Sequence, residues 1–526
     1  MSVQLPPVKV VLLAVHYASH ADIESLRPIA SQFSHILRKE LLLRILLTHI
    51  PETAPPSLYV RFVVEIATDN VPGDQRAVVD VSPIDSISDE KAQKKARKLS
   101  LLELSCPEFP YGDDGDPLTG FLLRRAYQLD LEAGMLKQLP DLLAPLIDRH
   151  TSIRAWVAST LLPLLRRNVQ YYVSKDSTYS LVQFQQLTAD SAVHYLLSET
   201  GQSEDGAEII RRDLRGLVGP FLQHESRWIK SEEDKDENSV GWRYLLEWLV
   251  SQASQSWHLA MHAFEQWDGL GDVDFGDYAV ETSLPKSRMQ LANQSYVRAA
   301  LAAAYSIPDA TEDSLSGAHR IINKAKFLLN QQLLPSLQVA AEELPDMLTE
   351  ESEHLQGDRP LASYTRNNLL DDSNPLTSPT KIATDFSMAL VISAFLLTRM
   401  GVRCSIRKAA ELVLLQDRHD QKNELIKLVS LIGVNGSKRD DAYWERLRLE
   451  IIWLHDWGSA SLAVGKDATR GIFGMISRQE IEAELLKALL SNGRRSSLRT
   501  YETPWVDNLQ VTMWQSPYTR IAASPR

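Results

Sequence analysis

Cysteine is all but missing from this chain: Cys106 and Cys404 are the only two among 526 residues. Two thiols so far apart in sequence supply neither a disulfide framework nor a Cys-based zinc cluster, and their scarcity reads as a reducing compartment on the cytosolic side of the cell. Long hydrophobic runs are missing as well. The longest uninterrupted one, MALVISAFLL at 388–397, is half of the ~20 apolar residues that a membrane span needs. Near the amino end VVLLAV is followed by small residues, but Pro6 and Pro7 precede it and Lys9 alone stands for a basic region, so it does not read as a secretory signal. Positive charge is outnumbered, 56 Lys and Arg against 68 Asp and Glu, for a formal net charge of −12. That balance keeps a chain in solution and argues against a nucleic-acid binder, which needs a dominant basic surface.

Catalytic signatures are absent too. There is no G-x-S-x-G, no Gly-rich dinucleotide loop and no carboxylate pair that stands out from ordinary surface acids. The residues therefore predict no enzyme, and no catalytic, cofactor-binding or metal site is expected.

What is present is length and helical periodicity. The 526 residues exceed the roughly 250–300 at which a single core stops growing, so the chain has several domains or an extended core. With 44% hydrophobic and 24% charged residues it has ample apolar surface to bury. In 119–137, Phe121, Leu122, Ala126, Leu129 and Ala133 recur at intervals of three and four, with Arg124, Arg125, Asp130 and Glu132 away from that stripe. Similar patterns predict helices over about 7–18, 22–50, 56–67, 88–104, 140–173, 178–197, 206–224, 240–265, 288–305, 314–343, 380–400, 404–433, 440–456 and 477–491. SLYVRFVVEIA alternates like a strand, but Arg61 and Glu65 form an i,i+4 pair that only a helix uses, so a helix is expected there.

The stretch RKELLLRILLTHIPET, 38–53, poses the packing problem. Leu41, Leu42, Leu43, Ile45, Leu46, Leu47 and Ile50 cannot share one stripe of a helix. An inner helix of a stacked array meets neighbours on most sides, and Pro51 then ends it. No fixed-period consensus repeats, so the fold class expected is all-α, an irregular α-solenoid of stacked helical pairs. Turn-rich breaks fall at 106–117, 231–239, 268–277 and 357–380. They suggest an N-terminal helical solenoid over 1–356, a mobile polar linker over 357–380, a C-terminal solenoid segment over 381–495 and an irregular tail over 496–526.

Several clusters invite chemistry and have plainer readings. His258 and His262 in WHLAMH lie at i and i+4, but Leu259 stands where an HExxH zinc protease needs its Glu. His16 and His20 have only Asp22 as a nearby acidic ligand. GVNGSK at 433–438 misses phosphate-loop spacing, because Ser437 intrudes before Lys438, and Gly433 reads as a helix C-cap. The acids of DGLGDVDFGD at 268, 272, 274 and 277 miss the ligand positions of a calcium loop, leaving a solvated turn. KAQKKARK carries Lys91, Lys94, Lys95, Arg97 and Lys98, which fit anionic lipid or an acidic partner; the ordinary reading is the wet face of a helix. Trp242, Trp248, Trp257 and Trp267 crowd together, as do Trp444, Trp453 and Trp457. Core packing comes first for these, interface anchoring second.

Four passages carry a resemblance. FSHILRKELLLRILLTHIPET followed by PSLYVRFV, then GVRCSIRKAAELVLLQDRHDQKNELIKLVSLIG, LEIIWLHDWG and GIFGMISRQEIEAELLKALLSNGR together resemble fungal members of the secretory-pathway Sec thirty-nine domain family, whose animal relative is the neuroblastoma-amplified-sequence protein. The likeness covers about 5–495. It implies an α-solenoid subunit of the Dsl-type tethering complex, which captures coat-bearing Golgi vesicles and links them to endoplasmic-reticulum SNAREs for retrograde fusion. The implied partners are endoplasmic-reticulum SNARE proteins and another tethering-complex subunit, with peripheral association to the cytosolic face of the endoplasmic reticulum through those partners. No nucleic acid, cofactor or enzyme activity comes with the resemblance, and no short site motif carries over to particular residues. The tail YETPWVDNLQVTMWQSPYTRIAASPR, with Trp505 and Trp514 and no sustained period, departs from the family pattern and suggests a truncated or alternatively spliced form. Two rivals remain: another helical adaptor, of nuclear-transport or proteasome-lid type, and a helical metallohydrolase using His258, His262 and a distant acid such as Asp456.

Overall fold

The computed structural model describes residues 5–71, 79–105, 116–149, 151–173, 179–202, 206–224, 240–278, 284–347, 361–365, 368–415, 417–436, 440–458 and 471–491. Every regular element among them is helical, so the chain is all-α. The tail beyond 491, with Trp505 and Trp514, and Cys106 lie outside the described residues.

Local chemistry sets the helix ends. Asp116 accepts from the Thr119 N–H, Pro117 opens the Pro117–Ala133 helix and Gly134 closes it at φ 63°, the conformation that costs glycine least. Thr311 and Ser314 cap Glu312–Leu328 reciprocally, as Ser180 and Gln183 cap Leu181–Gln186. SLYVRFVVEIA is helical over Val60–Ala67; Arg61 pairs with Glu65 at 3.5 Å and Arg27 reaches the same carboxylate at 2.8 Å. The expected helix 22–50 is instead two helices, Ile23–Gln32 and Lys39–His49. The turn between them buries Leu37, a tertiary gain that overrides helix propensity in a stretch with no strong breaker.

The chain forms two compact units, one from 1–202, 212–244 and 270–286, the other from 203–211, 245–269 and 287–526. In the first, Lys39–His49 packs against Pro7–Ser19, Val60–Ala67 and Pro117–Ala133, and the last of these also meets Leu181–Gln186. This solves the packing problem of 38–53. Leu42, Leu43, Ile45, Leu46, Leu47 and Ile50 are all buried, each contributing roughly 1.5–3 kcal/mol relative to exposure. In the second unit Trp257–Gln266 packs on Glu312–Leu328, which packs on Lys381–Arg399, which packs on Ile406–Leu415. Such neighbour-to-neighbour packing is solenoid-like. Lys381–Arg399 is long and apolar enough to cross a membrane by composition, yet every residue from Phe386 to Leu397 is buried within its unit, as in the core helix of a globular protein.

Of the three π-helical stretches among the described residues, Val157–Leu161, Arg166–Tyr171 and Leu214–Val218, the first and last share one cause. The wider π-helical turns Val157–Leu161 and Leu214–Val218 each run up to a proline, Pro163 and Pro220. Proline lacks an N–H and its ring crowds the carbonyl four residues back, so the chain widens there. The Gly216 carbonyl, four residues before Pro220, accepts from Arg166 Nη1 at 3.0 Å instead.

Candidate functional site

The suspected metal pair does not assemble a site. His258 is exposed and stacks on Trp257, ring centroids 3.5 Å apart. His262 has a buried Nδ1 without a hydrogen-bond partner, and burial pushes its imidazole below the ordinary histidine range. Asp456 is engaged by His455 at 2.6 Å and by Arg478 at 3.6 Å. Among the described residues no group of three or more His, Cys, Asp or Glu is placed to hold a metal ion. His20 turns its Nδ1 to the His16 carbonyl at 2.8 Å, finishing the first helix.

Two loop readings need correction. Gly433 is not a C-cap: the helix runs from Arg418 to Gly436, and Ser437 and Lys438 lie outside the described residues. The 268–277 loop is not merely solvated. Asp272 pairs with Arg215 at 2.7 Å, Asp274 with Arg166 at 3.3 Å, and Leu270 is buried. Arg166 thus fastens this loop to the widened Leu214–Val218 turn.

Of the tryptophans, Trp242, Trp267, Trp444, Trp453 and Trp457 are buried, which is the core role; Trp248 and Trp257 are half-buried. Trp453 donates its indole N–H to the Pro345 carbonyl at 3.0 Å.

The charged groups that matter most to the fold were hidden in the sequence. Arg125, on the supposed polar face of its helix, is 0% exposed. It donates to the carbonyls of Ile50 at 3.2 Å and Pro51 at 2.7 Å and to the Tyr59 hydroxyl at 3.0 Å. Those carbonyls end the aliphatic Lys39–His49 helix, where Pro51 leaves acceptors that need donors. A second cluster centres on Asp213, which accepts from Tyr172, from Thr200 Oγ1 at 2.8 Å and from Arg212 at 2.9 Å. Burial pushes the Asp213 carboxyl up, against the pull of Tyr172 and Arg212. Arg167, five residues before Tyr172, donates to the Tyr195 carbonyl at 2.9 Å and lies 3.6 Å from that ring's centroid. A carboxyl raised by burial, as Asp213 is, marks an active site in many enzymes, but here it is engaged by Tyr172, Thr200 and Arg212 within the fold.

Two outward features stand out among the described residues. Leu415, Ile426, Leu431 and Val434 reach solvent along Ile406–Leu415 and Arg418–Gly436. A shallow groove of ≈ 230 Å³ beside them is lined by Leu412, Leu415, Asp417, Asp420 and Glu424 among others. The second is the basic run. It forms the helix Asp89–Arg97, capped by Ser88, with Lys91, Lys94, Lys95, Arg97 and Lys98 all exposed.

Comparison with known families returns a match to the model described as secretory pathway protein Sec39, over residues 11–515. The match continues beyond 495, where the passages quoted above run out. No curated protein matches the chain.

Proposed function

The chain belongs to the Sec39 family of secretory pathway proteins, and from that premise we propose that it is a non-enzymatic subunit of an endoplasmic-reticulum tethering complex. In this reading it holds endoplasmic-reticulum SNARE proteins and a second tether subunit during retrograde Golgi-to-ER transport, on the cytosolic face of the membrane. The observation that carries the reading is the extent of the family match, nearly the whole chain. Supporting it is a fold in which the buried Arg125 and Asp213 are engaged by neighbouring groups, and in which Leu415, Ile426, Leu431 and Val434 reach solvent on two adjacent helices. Holding two partners at once raises their effective concentration without any chemistry.

Cell fractionation tests the reading against a different helical adaptor. The tagged chain is expected to sediment with endoplasmic-reticulum membranes and to be released by a salt wash. Recovery in the soluble fraction, or with nuclear pores or proteasomes, would assign it elsewhere.

A further inference from the structure

The Asp89–Arg97 helix is fixed to its unit by very little. It packs on Pro7–Ser19, and Ala92 is its one fully buried side chain, with Ala96 half-buried four residues on. Lys9 and Asp89 pair at 2.9 Å across that contact. Residues 92 and 96 share a face at helical spacing, and Lys91, Lys94, Lys95 and Lys98, all exposed, follow the i, i+3, i+4, i+7 pattern of a single stripe turned away from that contact. Arg97 flanks the stripe, and the acids of this stretch, Asp85, Asp89 and Glu90, all precede it. None of the five cations meets a carboxylate among the described residues.

Such an arrangement is not what folding alone selects. Lys91 with Lys95 and Lys94 with Lys98 are like charges at i,i+4, a spacing at which neighbours repel and weaken a helix. In a chain whose net charge is −12, five unpaired cations on one outward face are a local reversal.

We propose that this face is an electrostatic contact for an anionic phospholipid membrane surface, made by the chain itself rather than through its partners. Four of the five cations are lysines, compact point charges on flexible stems, which suit a diffuse field of headgroups; the planar fork of arginine suits one defined carboxylate or phosphate. The face has no exposed aliphatic or aromatic side chain between Asp89 and Lys98, and so lacks the apolar centre that a protein interface is built around. Juxtamembrane lysines act on anionic leaflets in this way.

The test uses the purified full chain, without partners, in co-sedimentation with vesicles of phosphatidylcholine alone and of phosphatidylcholine with phosphatidylserine. Sedimentation is expected only with the anionic vesicles, and it should fade as salt shortens the Debye length to about 8 Å at physiological ionic strength. Lys91→Glu, Lys94→Glu, Lys95→Glu and Lys98→Glu combined should weaken binding more than a hundredfold, while arginine at the same four positions should preserve it. Removing one lysine's charge should cost about fivefold, so Lys94→Gln with Lys95→Gln gives an intermediate loss and serves if the reversal variant fails to fold. Equal sedimentation of wild type and charge variants overturns the proposal. So does absence of wild-type binding to anionic vesicles, and if the lysines are then needed to hold an acidic protein segment, the face belongs to that protein. The outcome is independent of whether SNAREs or a second tether subunit bind.

Discussion

Arg125 shows how a single side chain can decide a fold element while looking like surface. In the sequence it stands with Arg124 on the side away from the apolar stripe; in the structure it is enclosed and satisfies Ile50, Pro51 and Tyr59. Nothing in the periodicity marks it, because its partners are backbone carbonyls of a distant turn, and those exist only once Pro51 has ended its helix. Replacing it by an apolar side chain of similar length, Arg125→Met, leaves these acceptors buried and unpaired at about 1–3 kcal/mol each. A chemical denaturation midpoint should fall accordingly, and it should fall less for Arg124→Met, at a half-buried neighbour that loses only its exposed hydrogen bond to the Ser105 carbonyl at 2.7 Å. His319 gives a pH-dependent counterpart. Burial, with Lys326 nearby, pushes its folded value down to about 4 from the ordinary 6.5. Between those values the unfolded chain binds the extra proton and the folded chain does not. The contribution is therefore complete above pH 6.5 and lost as pH falls toward 4, amounting to roughly 3 kcal/mol across the window. Melting temperatures recorded from neutral to mildly acidic pH should decline less steeply for His319→Leu than for wild type.

At the scale of elements, periodicity located most helices, and an i,i+4 ion pair settled the one ambiguous strand-like stretch. The errors came where tertiary contacts rather than local residues set the boundary. The 22–50 helix breaks to bury Leu37, and the helix through Gly433 continues because no cap is required there. Close approaches were invisible too. Gly120, inside the Pro117–Ala133 helix, faces the Leu104 backbone so closely that a Cβ would lie 1.9 Å from its carbonyl oxygen. Gly120→Ala should therefore destabilise by about 1–3 kcal/mol despite its better helix propensity, measured by equilibrium unfolding. In the polar stretch expected to be a mobile linker, the described residues 368–380 are tied down. Asn374 is buried and donates to the carbonyls of Tyr364 at 3.2 Å and Asn368 at 3.3 Å, and Thr377 donates to that of Leu369 at 2.6 Å. Limited proteolysis should spare 374–377; early cleavage there would restore the linker reading.

For the whole molecule, the fold class was legible because a helical array repeats one signal, an apolar stripe or a fully apolar helix, many times over. The family was legible from four passages that turn out to be largely core helices, such as Lys39–His49 and Asp441–Asp456. Binding surfaces were not, since a scaffold holds partners through outward faces whose residues follow no fixed spacing. The contact proposed for the basic helix is the exception, because charge of one sign on one face can be read directly. The central claim, a tether subunit that works by holding other proteins, is tested most directly by purifying the tagged full chain from cells in mild detergent and identifying what accompanies it by mass spectrometry. Endoplasmic-reticulum SNAREs and a second tethering subunit in near-equal amounts are the predicted result; a clean preparation containing neither would contradict the account.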